Sequence, residues 1–541
     1  MTDNDAYRAK ELRAPGKVAS VGVRYSPWPV QVDSPEVHYS DEYIFAKFHY
    51  EQVSTCEDRQ NGRTLVRPER QQLEFRTDRC VPRLGLLQVG WGGNNGSTLT
   101  AAVVANRENI CWESREGLCS PNYYGSVTQT ASVHLGCDEQ GADVFVPLHA
   151  IVPLVHPNDI ILGGWDISSS NLADALDRAK VLDVDLRRQL RPFLERIKPW
   201  RAAFDKSFIA QNQQSRADNI LSGSKQEQLD SLRDDIRRFK AEHKVEKVVV
   251  VWSANSERYA ELTTEAACLP EKLLQAIRNN EAEISPSILY AVAAILEHCP
   301  YVNGSPQNTL LPSVVELARQ QAVPVSGNDF KSGQTRLKSV FTDFLVGCGL
   351  KPRAIVTYNH LGNNDMYQLT DGTMWKPKSV SKSGVLEDIV SSNRALFAEG
   401  EEPDHVVVVK YVPFLGDSKR DISEYTSEAF MGGRYTNIIH NEALDSILCA
   451  PLILDTAILC ELLTRVTFRR PGDETYRPLE SVAVALSFFM KNPMTPYGLP
   501  PVNALWRQRL CLENMLRALV GLGPSHELWF LGASDDARKS S

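Results

Sequence analysis

The sequence predicts an α/β protein in which a doubly wound parallel sheet is followed by a second, α+β domain. Three observations predict it. The unbroken β-branched run Lys247–Trp252 (KVVVVW) suits a strand covered on both faces. The apolar run Leu84–Val89 leads through a cluster of glycines into a helical pattern at 97–106. Further strand-like and helix-like stretches then alternate, as a parallel sheet requires.

The elements follow in order. Residues 1–80 are polar and irregular apart from a strand-like run at 43–49, and read as an N-terminal arm packing on the core. The first domain spans 81–335. It takes the strand Leu84–Val89, the helix at 97–106, a long insertion at 112–157, and a second strand at 159–165 that ends at Asp166. Helical patterns at 171–182 and 226–243 separate that strand from Lys247–Trp252. The second domain spans 336–450. Its amphipathic helix at 336–347 places Leu337, Val340, Phe341, Phe344 and Leu345 on one face. Strands follow at 354–358 and 405–411, with a helix from about 383 to 396 between them. An apolar helix at 445–467 and the remaining residues, 451–541, return to the first domain.

Composition excludes several function classes. The chain has 541 residues and a formal net charge of −8, which argues against a whole-surface affinity for nucleic acid or anionic lipid. Its 11 cysteines are odd in number, scattered and without a C-x-x-C pair. That pattern fits reduced thiols in a cytoplasmic protein, not a disulfide framework or a zinc site. The first thirty residues lack an apolar h-region, so no secretory signal is expected. The longest apolar stretch, 446–468, is broken by Asp455, Glu461 and Arg465, and reads as a buried helix, not a membrane span. There is no H-E-x-x-H, EF-hand loop or G-x-S-x-G, so no metal is expected. His360 reads as a hydrogen-bonded structural residue.

The strongest local signal is Gly90-Trp91-Gly92-Gly93-Asn94-Asn95-Gly96, between a strand and a helix. Glycines let the backbone approach a pyrophosphate, and the helix N-terminus supplies N–H donors, so a Rossmann-like dinucleotide site is expected. Its third glycine comes one residue later than in G-x-G-x-x-G. Asp166 suits either a ribose hydroxyl, which would favour NAD, or a helix N-cap. Ser332-Gly333-Gln334-Thr335 could receive an anion at a helix start, or be a capped loop with Ser332 as N-cap. Lys378 and Lys382 are four apart, with Lys382 expected in a helix's first turn. Lys410 ends a valine-rich strand, and Lys491 follows Phe488-Phe489-Met490. Desolvated, mutually close lysines have lowered pKa values and serve as proton donors and acceptors. Spacing alone does not bring these four together.

A series of ordered blocks resembles the myo-inositol-1-phosphate synthases of the eukaryotic type, over about residues 30–530. The blocks are GWGGNNGST at 90–98, GGWDIS at 163–168, WSANSERY at 252–259, NGSPQNT at 303–309, GNDFKSGQT at 327–335, YNHLGNND at 358–365 and DSILCAPLIL at 445–454. The resemblance implies NAD-dependent isomerising cyclisation of D-glucose 6-phosphate to 1D-myo-inositol 3-phosphate, the first committed step of inositol biosynthesis. The steps are transient oxidation at C5, enolisation at C6, aldol closure onto C1 and re-reduction. It also implies a homotetramer assembled through the second domain's sheet.

Carried over residue by residue, Gly90, Gly92, Gly93, Asn94, Asn95 and Gly96 look like the pyrophosphate loop, Asp166 like the adenosine-ribose contact, and Ser253, Ala254 and Ser256 like further cofactor contacts. Asp329 and Asp445 look like groups around the nicotinamide and the lysines. Ser332, Gly333, Gln334, Thr335 and Asn363 look like the phosphate cradle. Lys378, Lys382, Lys410 and Lys491 match the active-site lysines: Lys378 and Lys491 for oxygen and proton chemistry, Lys382 and Lys410 divided between phosphate and reacting oxygens. Two departures stand out. Met366 replaces the family's glycine after the Asn-Asn-Asp, and the segment 199–207 lacks the usual adenosine-contacting pattern. These departures motivate an alternative, a catalytically idle NAD-binding subunit. A sugar-phosphate dehydrogenase is the other rival.

Overall fold

The structure, a computed structural model, describes residues 22–140, 142–371, 375–496 and 499–526. It opens with a long antiparallel hairpin of β1 (Tyr43–Asp58) and β2 (Arg63–Asp78). Ile44, Ala46 and Phe48 alternate inward at its base, and Asn61-Gly62 lies in the turn, with Gly62 at φ +60. The irregular reading of this arm is thus corrected. Its outer half lacks apolar alternation, so only the packed half announces itself in sequence.

Next comes the six-stranded parallel sheet. β3 (Leu84–Val89) runs into α1 (Asn94–Arg107). That helix begins three residues before the predicted start, because the glycine turn holds poor helix formers in helical geometry. β4 (Ile161–Asp166), α2 (Leu172–Ala179), β5 (Trp200–Arg201), α3 (Lys225–His243), β6 (Lys247–Trp252), α4 (Pro286–Leu296), β7 (Tyr301–Asn303) and β8 (Val325–Ser326) complete it. The strand order is β5-β4-β3-β6-β7-β8, all parallel. The order reverses between β3 and β6, where such sheets bind ligands beyond the strands' carboxyl ends. Local chemistry fixes the flanking helices. A capping box of Ser224 and Glu227 starts α3, and its Phe239 seats over Gly163, where a Cβ would lie 3.0 Å from the ring. The insertion expected at 112–157 contains two short antiparallel pairs, Trp112–Ser114 with Gly117–Cys119 and Ser132–Cys137 with Asp143–Pro147.

A second sheet follows α5 (Gly333–Gly347). It comprises β9 (Lys351–Leu361), β10 (Asp404–Tyr411), β11 (Ser418–Glu428) and β12 (Arg434–Leu444), in the order β10-β9-β11-β12. α6 (Asn364–Gln368) and α7 (Trp375–Ser383) connect its first two strands. The helix expected at 383–396 is therefore misplaced: α7 starts earlier and puts Lys382 in its last turn, and only a short helix, Glu387–Ser391, lies beyond. The inner face packs Ile355 and Tyr425 against Leu345 of α5, while Tyr358, Val406, Ile422 and Ile438 stand exposed.

α8 (Asp445–Thr464) is long and apolar enough to cross a membrane, but most of it is buried inside the fold, against α1 and β6. Its last turn carries a buried ion pair, Arg465 Nε to Glu461 Oε1 at 2.6 Å, and Arg465 also donates to the carbonyls of Asp78 and Pro153. β13 (Val466–Arg469) then pairs with β2, and α9 (Leu505–Leu519) places Leu512 and Leu516 in the core that holds Leu84 and Leu86. Arg465→Met leaves the Glu461 carboxylate buried and unpaired. It is expected to cost about 3–5 kcal/mol, read from a lowered urea midpoint.

Candidate active site

One cleft lies at the β3/β6 switch point and extends to the inner edge of the second sheet. Its floor is the glycine turn. Gly90 is at φ +87, and a Cβ there would lie 2.7 Å from the Ala254 Cα. At Gly96 a Cβ would run into the Trp91 carbonyl. Gly93 is the N-cap of α1 and brings no side-chain cap, and the first turn holds no acid. Its N–H donors therefore suit an anion from outside the helix.

Asp166, at the carboxyl end of β4, lines the same cleft beside the turn, 3.2 Å from where a Cβ of Gly92 would stand. It is not a helix N-cap. Asn171 caps α2, and Asp166 Oδ1 accepts from the Ser168 N–H at 2.9 Å. Burial raises its pKa, opposed by that bond and by Arg216 and Arg178. Ser253 and Ala254 line the cleft beyond β6, whereas Ser256 is fully buried behind it with its Oγ unpartnered. A glycine turn with open amides, an acid on the next strand and a long cleft together fit a dinucleotide. The altered segment contributes Ala202, Ala203, Phe204 and Asp205 to this end of the cleft, so it does reach the cofactor region.

At the other end, three lysines meet three aspartates. Lys491 Nζ lies 3.1 Å from Asp329 Oδ2, Lys378 Nζ 3.0 Å from Asp365 Oδ2, and Lys419 Nζ 3.0 Å from Asp445 Oδ1. Different elements deliver them. Asp329, at φ +59, and Lys491 are held by a short ribbon in which Lys491 N–H donates to the Asp329 carbonyl at 2.7 Å. Lys378 comes from α7, Asp365 from the first turn of α6, Lys419 from β11, and Asp445 from the first turn of α8. Ser381 Oγ also donates to Asp329 Oδ2, at 2.7 Å.

The pairs titrate differently. Burial pushes the Lys491 ammonium down, Asp329 resists, and Lys378 and Lys419 add to the push. Burial acts on Lys378 as well, but Asp365 and Asp329 outweigh it and raise that group above the ordinary lysine range. Lys419 is likewise raised by Asp445 against burial. Burial would raise Asp329 and Asp445, yet the lysines hold both below the usual carboxylate value.

Of the four expected lysines, Lys378 and Lys491 line the cleft. The side chain of Lys382 lies outside the described residues. Lys410 is not in the cleft. It is exposed on β10, opposite His360 and on the same outer face as Val406, and Lys419 takes the place expected of it. The strand explains the error, since alternate residues of β10 point to opposite faces. Asp365 and Asp417 were also missed. Asp417 Oδ1 accepts from Asn94 Nδ2 at 3.1 Å and Oδ2 from the Ser446 N–H at 2.8 Å, joining the glycine turn to the start of α8. Ser332 and Asn363 line the cleft, while Gln334 turns to Asn359 and donates to its Oδ1 at 3.0 Å. Ser332 occupies the N-cap position of α5 without capping it through its side chain, which leaves the hydroxyl for a ligand. Met366 lines the cleft from α6.

Residues 84–517 match the family model described as myo-inositol-1-phosphate synthase. The chain is 50% identical over 500 residues to an inositol-3-phosphate synthase from Spirodela polyrhiza, covering 92% of this chain and 98% of the other. It is 48% identical over 500 residues to inositol-3-phosphate synthase isozyme 2 of Arabidopsis thaliana, with the same coverage. The crystal structure of inositol-3-phosphate synthase from Caenorhabditis elegans superposes with a TM-score of 0.90 at 45% identity, over 93% of this chain and 99% of that one.

Gly96→Ala forces the turn against the Trp91 carbonyl. It is expected to weaken dinucleotide binding by about a hundredfold while circular dichroism stays native, checked by fluorescence titration.

Proposed function

The chain belongs to the myo-inositol-1-phosphate synthase family, and on that premise we propose that its reaction is carried by Lys378, Lys419 and Lys491 with their aspartates. The enzyme converts D-glucose 6-phosphate to 1D-myo-inositol 3-phosphate, an isomerisation with no net redox change. The chemistry that bound NAD would supply is reversible acceptance of the C5 hydride, given back after ring closure. The glycine turn with Asn94 and Asn95 receives its pyrophosphate, and Asp166 its adenosine ribose. Ser253 and Ala254 would flank it, and Asp329 and Asp445 would stand on its nicotinamide side. Ser256 supports this wall from behind, as Gly92 and Gly96 shape the turn.

The observation that carries the reading is the convergence of three lysine–aspartate pairs on the cleft that holds the glycine turn. Of the three cleft lysines, Lys491 is the one whose ammonium burial pushes down on balance. It takes the proton released at the C5 hydroxyl and returns it to that oxygen on re-reduction, while the C6 proton given up on enolisation is matched by the proton the C1 oxygen gains when the enolate carbon attacks the C1 aldehyde. Lys378, kept an ammonium by Asp365 and Asp329, donates hydrogen bonds to the oxyanions that develop at C5 and C1. Lys419 serves the reacting oxygens beside it. Ser332, Gly333, Gln334 and Thr335, with Asn363 and Lys382, form the phosphate cradle. Closing the cleft around both ligands keeps water from the enolate.

The apolar outer face formed by Tyr358, Val406, Ile422 and Ile438 supports assembly as a homotetramer through the second sheet. All eleven cysteines are unpaired, which supports a reducing, cytoplasmic setting.

Lys491→Ala and Lys419→Ala are each expected to lower inositol phosphate formation by about 10²–10⁴-fold with NAD still bound. Lys410→Gln should stay within about threefold. Near-normal turnover in Lys419→Ala would overturn this assignment. Turnover should rise with pH as Lys491 loses its proton, at a pH below the ordinary lysine range. Asp329→Asn removes the nearest negative charge and should shift that rise to lower pH, read from kcat–pH profiles. Ile438→Asp should break the assembly, as measured by light scattering.

A further inference from the structure

Each described lysine in the cleft already has its own carboxylate, so these pairs bring little net positive charge to a dianionic substrate. Three cations with no carboxylate in contact lie behind the wall, in the segment that starts α5. Lys331 is fully buried, and its Nζ donates only to neutral oxygens: the Asn503 carbonyl at 3.1 Å, Asn503 Oδ1 at 3.2 Å and Gln508 Oε1 at 3.1 Å. Lys338 is buried, and its Nζ meets His405 Nε2 at 3.0 Å. Arg336 has buried Nε and Nη2 atoms without hydrogen-bond partners, with its guanidinium 4.7 Å from the centroid of the Phe488 ring.

No carboxylate among the described residues pairs with any of the three. Each has an acid nearby but not in contact with it, and two of those acids keep one buried oxygen unpartnered, Asp388 Oδ1 and Asp421 Oδ1. Asp388, near Lys331, accepts from the N–H groups of Asn503 and Ala504. Asp421, near Lys338, accepts from Ser423 Oγ. Asp455, near Arg336, is held by Ser126, Val127 and Thr128. Three desolvated cations within eight residues, each without a carboxylate in contact, are costly to the folded state. Burial accordingly lowers Lys331 to about 7 and Lys338 to about 8. Both groups also feel the charge of Lys491, so their field reaches the cleft. Lys338 is one helical turn beyond Gln334, about 6 Å along the axis, too close for salt to screen in a dry interior.

We propose that Lys331, Arg336 and Lys338 form a buried positive tier behind the turn from Ser332 to Thr335, whose field is offset by the phosphate dianion of the substrate. Selectivity for a phosphorylated hexose then arises from within the wall as well as from its surface. The proposal rests on the reading of that turn as the phosphate cradle. These three are positioning residues that act through the field and do not touch the substrate.

The test measures KM and kcat for glucose 6-phosphate, the NAD dissociation constant and the melting temperature of Lys338→Met, Arg336→Met and Lys331→Met in the full chain. Lys338→Met and Arg336→Met should each raise KM about tenfold or more. NAD affinity should not change, and the melting temperature should hold or rise because an apolar group replaces an unpaired buried charge. Lys338→Arg, which restores the charge, should recover KM. Unchanged KM in Lys338→Met and Arg336→Met would overturn the tier, as would a joint fall in NAD affinity and melting temperature. If Lys331→Met fails to fold, those two variants decide. Ser332→Ala and Thr335→Val separate the layers: if they raise KM while the tier variants do not, the tier alone is wrong. If they leave KM unchanged, the cradle reading fails and the proposal falls with it.

Discussion

Desolvating several ammonium groups in one place is the constraint on which this structure turns. Each such group would shed its proton or unfold its surroundings unless a carboxylate stood beside it. Asp329, Asp365 and Asp445 meet that need, and they come from three separate parts of the chain. The two sheets must therefore be held against each other for the cleft to exist. Asp417 contributes directly to that closure, since one carboxylate binds both the glycine turn and the first turn of α8.

The same electrostatics divides labour among chemically identical side chains. Lys378 and Lys419 have acids that outweigh burial, and they stay charged. Lys491 has one acid and two neighbouring cations, and the balance tips the other way. A fixed ammonium beside a titratable amine is what a reaction needs when it makes and unmakes oxyanions without net change. The family's cofactor supplies the redox chemistry, and the protein supplies the differences in proton affinity.

Much of the parallel sheet was legible because its signals are local. A buried valine run, a glycine turn between strand and helix, and an acid after the next strand are each encoded by adjacent residues. The lysine set was less legible because strand parity decides which face a residue joins. Lys410 shares parity with exposed Val406, whereas Lys419 shares it with buried Ser423 and Tyr425. That alternation was present in the sequence, but its meaning required knowing which face of the second sheet packs on α5. The hairpin's outer half was hidden for a different reason: it has no apolar face to betray a strand. Asp365 stands in the Asn-Asn-Asp block, but only the packing of α6 on α7 shows that it meets Lys378, and Asp417 is bound to Asn94 from the far end of the chain.

Helix α8 carries Asp445 at one end and the Arg465 anchorage at the other. Twenty residues make a rod of about 30 Å. It threads the core from the reaction chamber to the base of the N-terminal ribbon. One continuous helix, with Pro451 inside it, therefore ties the partner of Lys419 and the Arg465 anchorage into a single element.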